Sequence, residues 1–178
     1  MPLSDRGRAQ ADAIAIALRN IPFTQAFSSD LQRARETAET IVAARTLPVA
    51  TDVRLREFDF GEWEGLTWNE IVARWPQYAQ RLPTQPGRYE PVGGERFEHV
   101  IARVGSFLDE RVRHGTARYV LAVTHAGALH AALETLAPEG FDPQGKIFST
   151  ASITRVAMDD GRARIITLND VSHLDSIA

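Results

Sequence analysis

The chain has 178 residues, no cysteine, 44% hydrophobic residues and a formal net charge of −3 from 20 basic and 23 acidic side chains. These figures exclude disulfide frameworks, cysteine nucleophiles and cysteine-bound metals, and they argue against a general nucleic-acid binder. No apolar run approaches the roughly 20 residues of a membrane helix, and the start does not read as a signal peptide, so one globular domain with the cytoplasm as default compartment is expected.

The elements alternate. Ser4 is an N-cap candidate for a helix carrying Ala11, Ile14, Ala15 and Leu18 at helical spacing, and a short strand over 25–28 follows. A second helix is predicted from Ser29, where Ser29 and Gln32 have capping-box spacing and Leu31, Ala34, Ala38, Ile41 and Val42 form the buried stripe. Residues 53–58 read as extended. Thr67 and Glu70 form a second capping box ahead of Ile71, Val72 and Trp75. Residues 82–94 (LPTQPGRYEPVGG) hold three prolines and three glycines and read as a long loop, a place for a lid or binding segment.

The clearest helix runs from Phe97 to about Arg111. The apolar run YVLAVT over 119–124 predicts a strand buried on both faces, and 128–136 a helix. Two strands flanking Asp160-Gly161 predict a hairpin. The sum is an α/β domain with a largely parallel sheet. It opens on a helix where such sheets ordinarily open on a buried strand, so a first central strand is expected to be missing.

In open parallel sheets ligands bind at the carboxyl ends of strands. Ser28-Ser29-Asp30, residues 57–65, and Thr124-His125-Ala126-Gly127 fall there. A helix N-terminus, an arginine fork from Arg33 and a histidine suit a phosphoryl group. Taken together, SSDLQRARETAETI (28–41), LREFDFGEWEGLTWNEI (55–71), VGGERF (92–97) and VTHAG (123–127) resemble the histidine phosphatase superfamily, with alpha-ribazole phosphatases and broad-specificity phosphatases nearest in pattern. The resemblance runs essentially the length of the chain, from PLSDRGRAQA to NDVSHL.

The resemblance implies a phosphoglycerate mutase-like three-layer sandwich and phosphoryl transfer through a phosphohistidine, without metal or organic cofactor. It makes Arg33 a phosphate clamp, Glu57 the general acid and later base, and His125 the second histidine. Ser28, Ala126 and Glu95 join the phosphate- and substrate-binding positions. The substrate is a small phosphorylated metabolite, and neither nucleic acid nor membrane is a partner; a homodimer is one way to close an incomplete sheet. The short segment between Trp68 and Gly94 favours phosphatase over mutase. The family's nucleophile follows an N-terminal strand in an Arg-His-Gly motif, and this chain matches only from well downstream of it. Two expectations follow: a gene start set too late, with the motif encoded upstream, or a non-catalytic phosphate- or partner-binding relative. In both, the chain as given turns over poorly.

Arg113-His114-Gly115-Thr116 spells a similar string, but it follows a helix, and the strand after it places His114 roughly 20 Å from His125. It reads as a loop. His99 and His130 read as surface or helix-packing residues, His173 as part of a closing tail, and Trp63, Trp68 and Trp75 as packing residues.

Overall fold

The computed structural model describes residues 1–78, 90–113, 117–137, 141–142, 147–159 and 161–177. Helix α1 (Asp5–Ala17) starts at Ser4, whose side chain accepts from the Gly7 N–H. Strand β1 (Gln25–Ser28) follows, then α2 (Gln32–Val42) and β2 (Val49–Thr51). Helix α3 (Trp68–Arg74) begins with the predicted Thr67–Glu70 capping box, both reciprocal bonds present. Next come α4 (Phe97–Leu108), β3 (Val120–Val123), α5 (Ala126–Leu136) and the hairpin strands β4 (Ile153–Asp159) and β5 (Arg162–Asp170).

Strand β1 is the middle of a parallel sheet ordered β2-β1-β3, while β4 and β5 pair antiparallel as a separate ladder. Consecutive strand residues face opposite ways, and that alternation builds two cores. Phe27 packs with Val100, Val104 and Phe107 of α4 and Ala128 and Ala131 of α5. Its neighbour Ala26 packs with Ile14 and Leu18 of α1 and its exit turn, and with Ile41 and Val42 of α2. Helices therefore cover both faces of the sheet, as an α/β architecture requires. No helix among the described residues is long and apolar enough to cross a membrane.

Several local expectations are corrected. Helix α2 starts at Gln32 rather than Ser29: Leu31 is its N-cap, without a side-chain bond, and Ser29 Oγ instead accepts from the Leu31 N–H at 3.3 Å. Residues 53–55 form a 3₁₀ turn capped by Asp52, and the extended segment lies earlier, at β2. The reason is Asp52, whose side chain captures the Arg54 N–H and turns the chain. Strand β3 buries Leu121 but leaves Ala122 exposed, since only its β1 edge is paired among the described residues. Trp63 is buried and Trp75 half-buried beside it, whereas Trp68 is 41% exposed. The Asp160 half of the predicted turn, residues 82–89 of the predicted loop and His114 with its neighbours 115–116 lie outside the described residues.

Candidate functional site

The carboxyl ends of β1 and β3 deliver two chain segments to one place. Ser28 and Ser29 are fully buried there; the Ser28 hydroxyl donates to the Ser29 carbonyl, and the Ser29 N–H donates to Val123 O at 2.9 Å. This stitch fixes where α2 begins, and therefore where Arg33 in its first turn points. Arg33 Nη2 lies 3.2 Å from His125 Nδ1.

His125 is the N-cap residue of α5, and Thr124 before it anchors the strand end by donating to Leu55 O at 2.8 Å. Burial, with the Arg33 and Arg103 charges adding to it, pushes the imidazole down to about 4, so it is neutral at pH 7. A guanidinium only donates, so Nδ1 must accept and the ring proton sits on Nε2. That Nε2 is buried without a partner among the described residues. A buried N–H lacking an acceptor is unfavourable unless a ligand supplies one.

Glu57 reaches the same helix end. Its Oε1 accepts from the Phe58 N–H at 2.8 Å and from the Gly127 N–H of α5 at 2.9 Å. The close approach depends on glycine: a Cβ on Gly127 would stand 2.6 Å from that oxygen. Ala126, the first residue of α5, is exposed. Thus Arg33 and Glu57 both meet the turn 125–127, one through a ring nitrogen and the other through a backbone amide.

The remaining predicted residues sit differently. The Glu95 carboxylate forms a bidentate pair with Arg103, at 2.8 and 2.9 Å. Arg103 also donates to the carbonyls of Arg54, Arg56 and Glu57 at 2.7, 2.7 and 3.1 Å. Sequence reasoning missed Arg103, although a signal was there. It falls with Val100, Val104 and Phe107 at i, i+3, i+4, i+7 on the buried stripe of α4, where an arginine must be paired. Also missed was the Arg56–Asp30 fork, at 2.8 and 2.6 Å, which holds the Asp30 carboxyl below its usual range.

A cavity of about 400 Å³ adjoins this group, lined by Val53, Arg56, Glu57, Asp59, Gly94, Glu95 and Arg103. It does not reach Arg33 or His125, and Glu57 is the member common to the cavity and to the polar cluster at α5. The other described histidines are engaged elsewhere. His99 is exposed on α4, His130 packs edge-on against Phe97 and Phe148, and His173 Nε2 lies 2.9 Å from Ala151 O.

Several known proteins resemble this chain in sequence or fold. Phosphoserine phosphatase 1 of Hydrogenobacter thermophilus is 33% identical over 177 residues, 97% of this chain and 82% of the relative. The structure of a mycobacterial glucosyl-3-phosphoglycerate phosphatase with VO3 superposes with a TM-score of 0.83 at 32% identity, covering 95% of this chain and 87% of that one. The alpha-ribazole phosphatase of Shigella flexneri has the same fold, with a TM-score of 0.80 at 24% identity over 95% of this chain and 84% of its own. The sequence pattern of branch 1 matches residues 1–171, and the chain accordingly belongs to the histidine phosphatase superfamily (branch 1).

Proposed function

We propose that this chain binds the phosphoryl group of a small phosphorylated metabolite between Arg33 and His125, in the manner of a phosphomonoester hydrolase, with Glu57 as proton donor to the leaving oxygen. The observation that carries the reading is the neutral His125, its Nδ1 held by Arg33 and its Nε2–H left without an acceptor. Arg33 supplies a planar fork, and the amide-rich start of α5 adds partial positive charge, as a phosphoryl oxygen requires. Phosphatase relatives and a vanadate-bound neighbour support the substrate class.

In the reaction of this type a histidine nitrogen attacks phosphorus, the P–O bond to the leaving group breaks, and the acid's proton passes to the departing oxygen. Water then attacks the phosphohistidine, giving its proton to the same carboxylate. Arg33 and His125 hold the equatorial oxygens through both steps. The sequence's Arg-His-Gly string comes after α4 rather than after a strand, His99 is exposed on α4, and His130 and His173 are occupied elsewhere. We therefore expect the 178-residue chain to bind phosphoryl oxyanions but hydrolyse phosphomonoesters slowly. A non-catalytic phosphate-binding role is the second reading, favoured by the same observation.

Calorimetric titration with orthovanadate and p-nitrophenyl phosphate hydrolysis, each with Arg33→Ala, His125→Ala and Glu57→Gln variants, test both. Vanadate binding that weakens at least about tenfold in the first two variants supports the site. Equal binding in all four proteins refutes it. Hydrolysis well above that of Glu57→Gln identifies an attacking group elsewhere in the chain and favours the enzyme; hydrolysis equal to it favours the binding role.

A further inference from the structure

We infer that Arg103, together with Glu95, is a positioning residue that sets Glu57 against the first turn of α5. All five guanidinium N–H groups are used. Nε and one Nη2 proton hold the Glu95 carboxylate, both Nη1 protons go to the Arg54 and Arg56 carbonyls, and the remaining Nη2 proton goes to Glu57 O. Both partner side chains are 19% exposed, so the pair is largely shielded from water and screening.

The target of these bonds is the feature that matters. Three of the five go to consecutive turns of one loop, 54–57, that no strand ladder supports. Residues in such a loop need their carbonyls satisfied from outside, and a single rigid fork does it for three. The other end of the loop is tied by the segment bearing Glu95. The Glu95 N–H donates to Asp59 O at 2.9 Å, and the Glu62 N–H donates to Val92 O at 2.9 Å. Gly94 makes this fit possible, since a Cβ there would stand 2.5 Å from Asp59 O. Glu57 is thus bracketed: Arg103 below its carbonyl, the 91–95 segment beside it, and Gly127 and Phe58 amides on its carboxylate. Arg103 lines the flanking cavity and its charge also bears on His125, but its hydrogen bonds reach the polar cluster at α5 through Glu57. Glu95, by the same geometry, serves the bracket.

The catalytic consequence rests on the proposed role of Glu57, so the first measurement avoids turnover. Amide hydrogen exchange is followed at Gly127 and Phe58, whose N–H groups Glu57 holds, with Leu133 further along α5 as the reference. In Arg103→Gln, exchange at Gly127 and Phe58 is expected to rise about tenfold relative to Leu133. Arg103→Lys, keeping charge but losing the fork, should fall between. Should Arg103→Gln fail to fold, Arg103→Lys carries the test, because it keeps the charge and removes the fork that holds the three carbonyls. Unchanged Gly127 exchange in a folded Arg103→Gln or Arg103→Lys protein overturns the inference, as does a uniform rise that includes Leu133. Turnover is the second readout. A displaced proton donor lowers kcat for an alkyl phosphate, whose leaving oxygen needs a proton, about tenfold more than for p-nitrophenyl phosphate, with KM little changed. On a Glu57→Gln background Arg103→Lys, which keeps the charge felt by His125, should add nothing. If Glu57→Gln itself leaves turnover unaltered while Gly127 exchange still responds to Arg103, the proton-donor reading has failed and the bracket stands.

Discussion

Replacing Gly127 by alanine separates stability from function at this site. The new Cβ would lie 2.6 Å from Glu57 Oε1 and 3.2 Å from Phe58 Cβ. The first contact cannot persist, and the side chain that must yield is the mobile end of Glu57, since Gly127 is fixed in α5. The carboxylate leaves the Gly127 amide, removing one hydrogen bond to a charged acceptor, about 1.5–3 kcal/mol. Against this, alanine in a helix is favoured over glycine by about 1 kcal/mol, less in the first turn. Water can reach the freed amide, which offsets the loss further. The net destabilisation is therefore about 1–2 kcal/mol, or a Tm decrease of about 2–8 °C for a domain of this size. On the proposed role of Glu57 the functional effect is larger, because a proton donor about 1 Å out of place loses about 100-fold in rate. Thermal denaturation and turnover of an alkyl phosphate, measured on the same preparation, decide it. Where turnover of the natural-sequence chain is too slow to read, accelerated exchange at the Phe58 amide reports the same displacement. A Tm unchanged together with unaltered Phe58 exchange would refute the reasoning, since Glu57 would then not have moved.

Three other outcomes are expected. The His125 imidazole, held at about 4 against an ordinary 6.5, makes the unfolded chain bind the extra proton first. Stability from this group is complete above pH 6.5 and lost as pH falls towards 4, by about 3 kcal/mol at most; urea titrations of the chain and of His125→Gln across that window should converge at low pH. Gly61→Ala places a Cβ 2.4 Å from Gly94 N and Val92 O at a φ of +51°, and should lower stability by about 2–4 kcal/mol in chemical denaturation. Phe107→Ala empties a fully buried site under β1, where the Phe27 ring lies edge-on at 5.3 Å, and should lower stability by about 3–5 kcal/mol in the same assay.

What could be read from the sequence was what local chemistry alone decides. The Thr67–Glu70 box and the Ser4 cap are contacts three residues apart, and both form. The stripe of α4 is strongly periodic, and it is buried as its spacing requires. Ser29–Gln32 has the same spacing as a capping box but does not make one, because a tertiary bond from Ser29 N to Val123 O keeps that residue in the sheet. Strand β2 is three residues long and mostly exposed, so no pattern announces it; its existence depends on the free edge of β1. The motif residues Arg33, Glu57 and His125 were legible as types suited to phosphate. Arg103 was not, because its partners lie on the loop 54–57 and at Glu95, contacts that only the assembled fold creates.

The site also shows why its charges need glycines around them. Burial, with the Arg33 and Arg103 charges adding to it, lowers the His125 pKa, so the histidine stays a neutral donor at the pH where a phosphate monoester is a dianion. The Arg33 guanidinium beside the ring repels an approaching proton but favours an oxyanion, and the Glu57 carboxylate is kept on backbone amides rather than on Arg33. Were Glu57 to pair with Arg33 instead, the fork would be neutralised and the phosphoryl position lost. Gly127 forestalls that pairing by opening the amide to the carboxylate, and the Arg103 bracket forestalls it by fixing the backbone from which Glu57 extends. The separation of anion and cation across the α5 turn is thus a property of backbone geometry, and on the proposed function it leaves the Arg33 fork available for a phosphoryl oxygen.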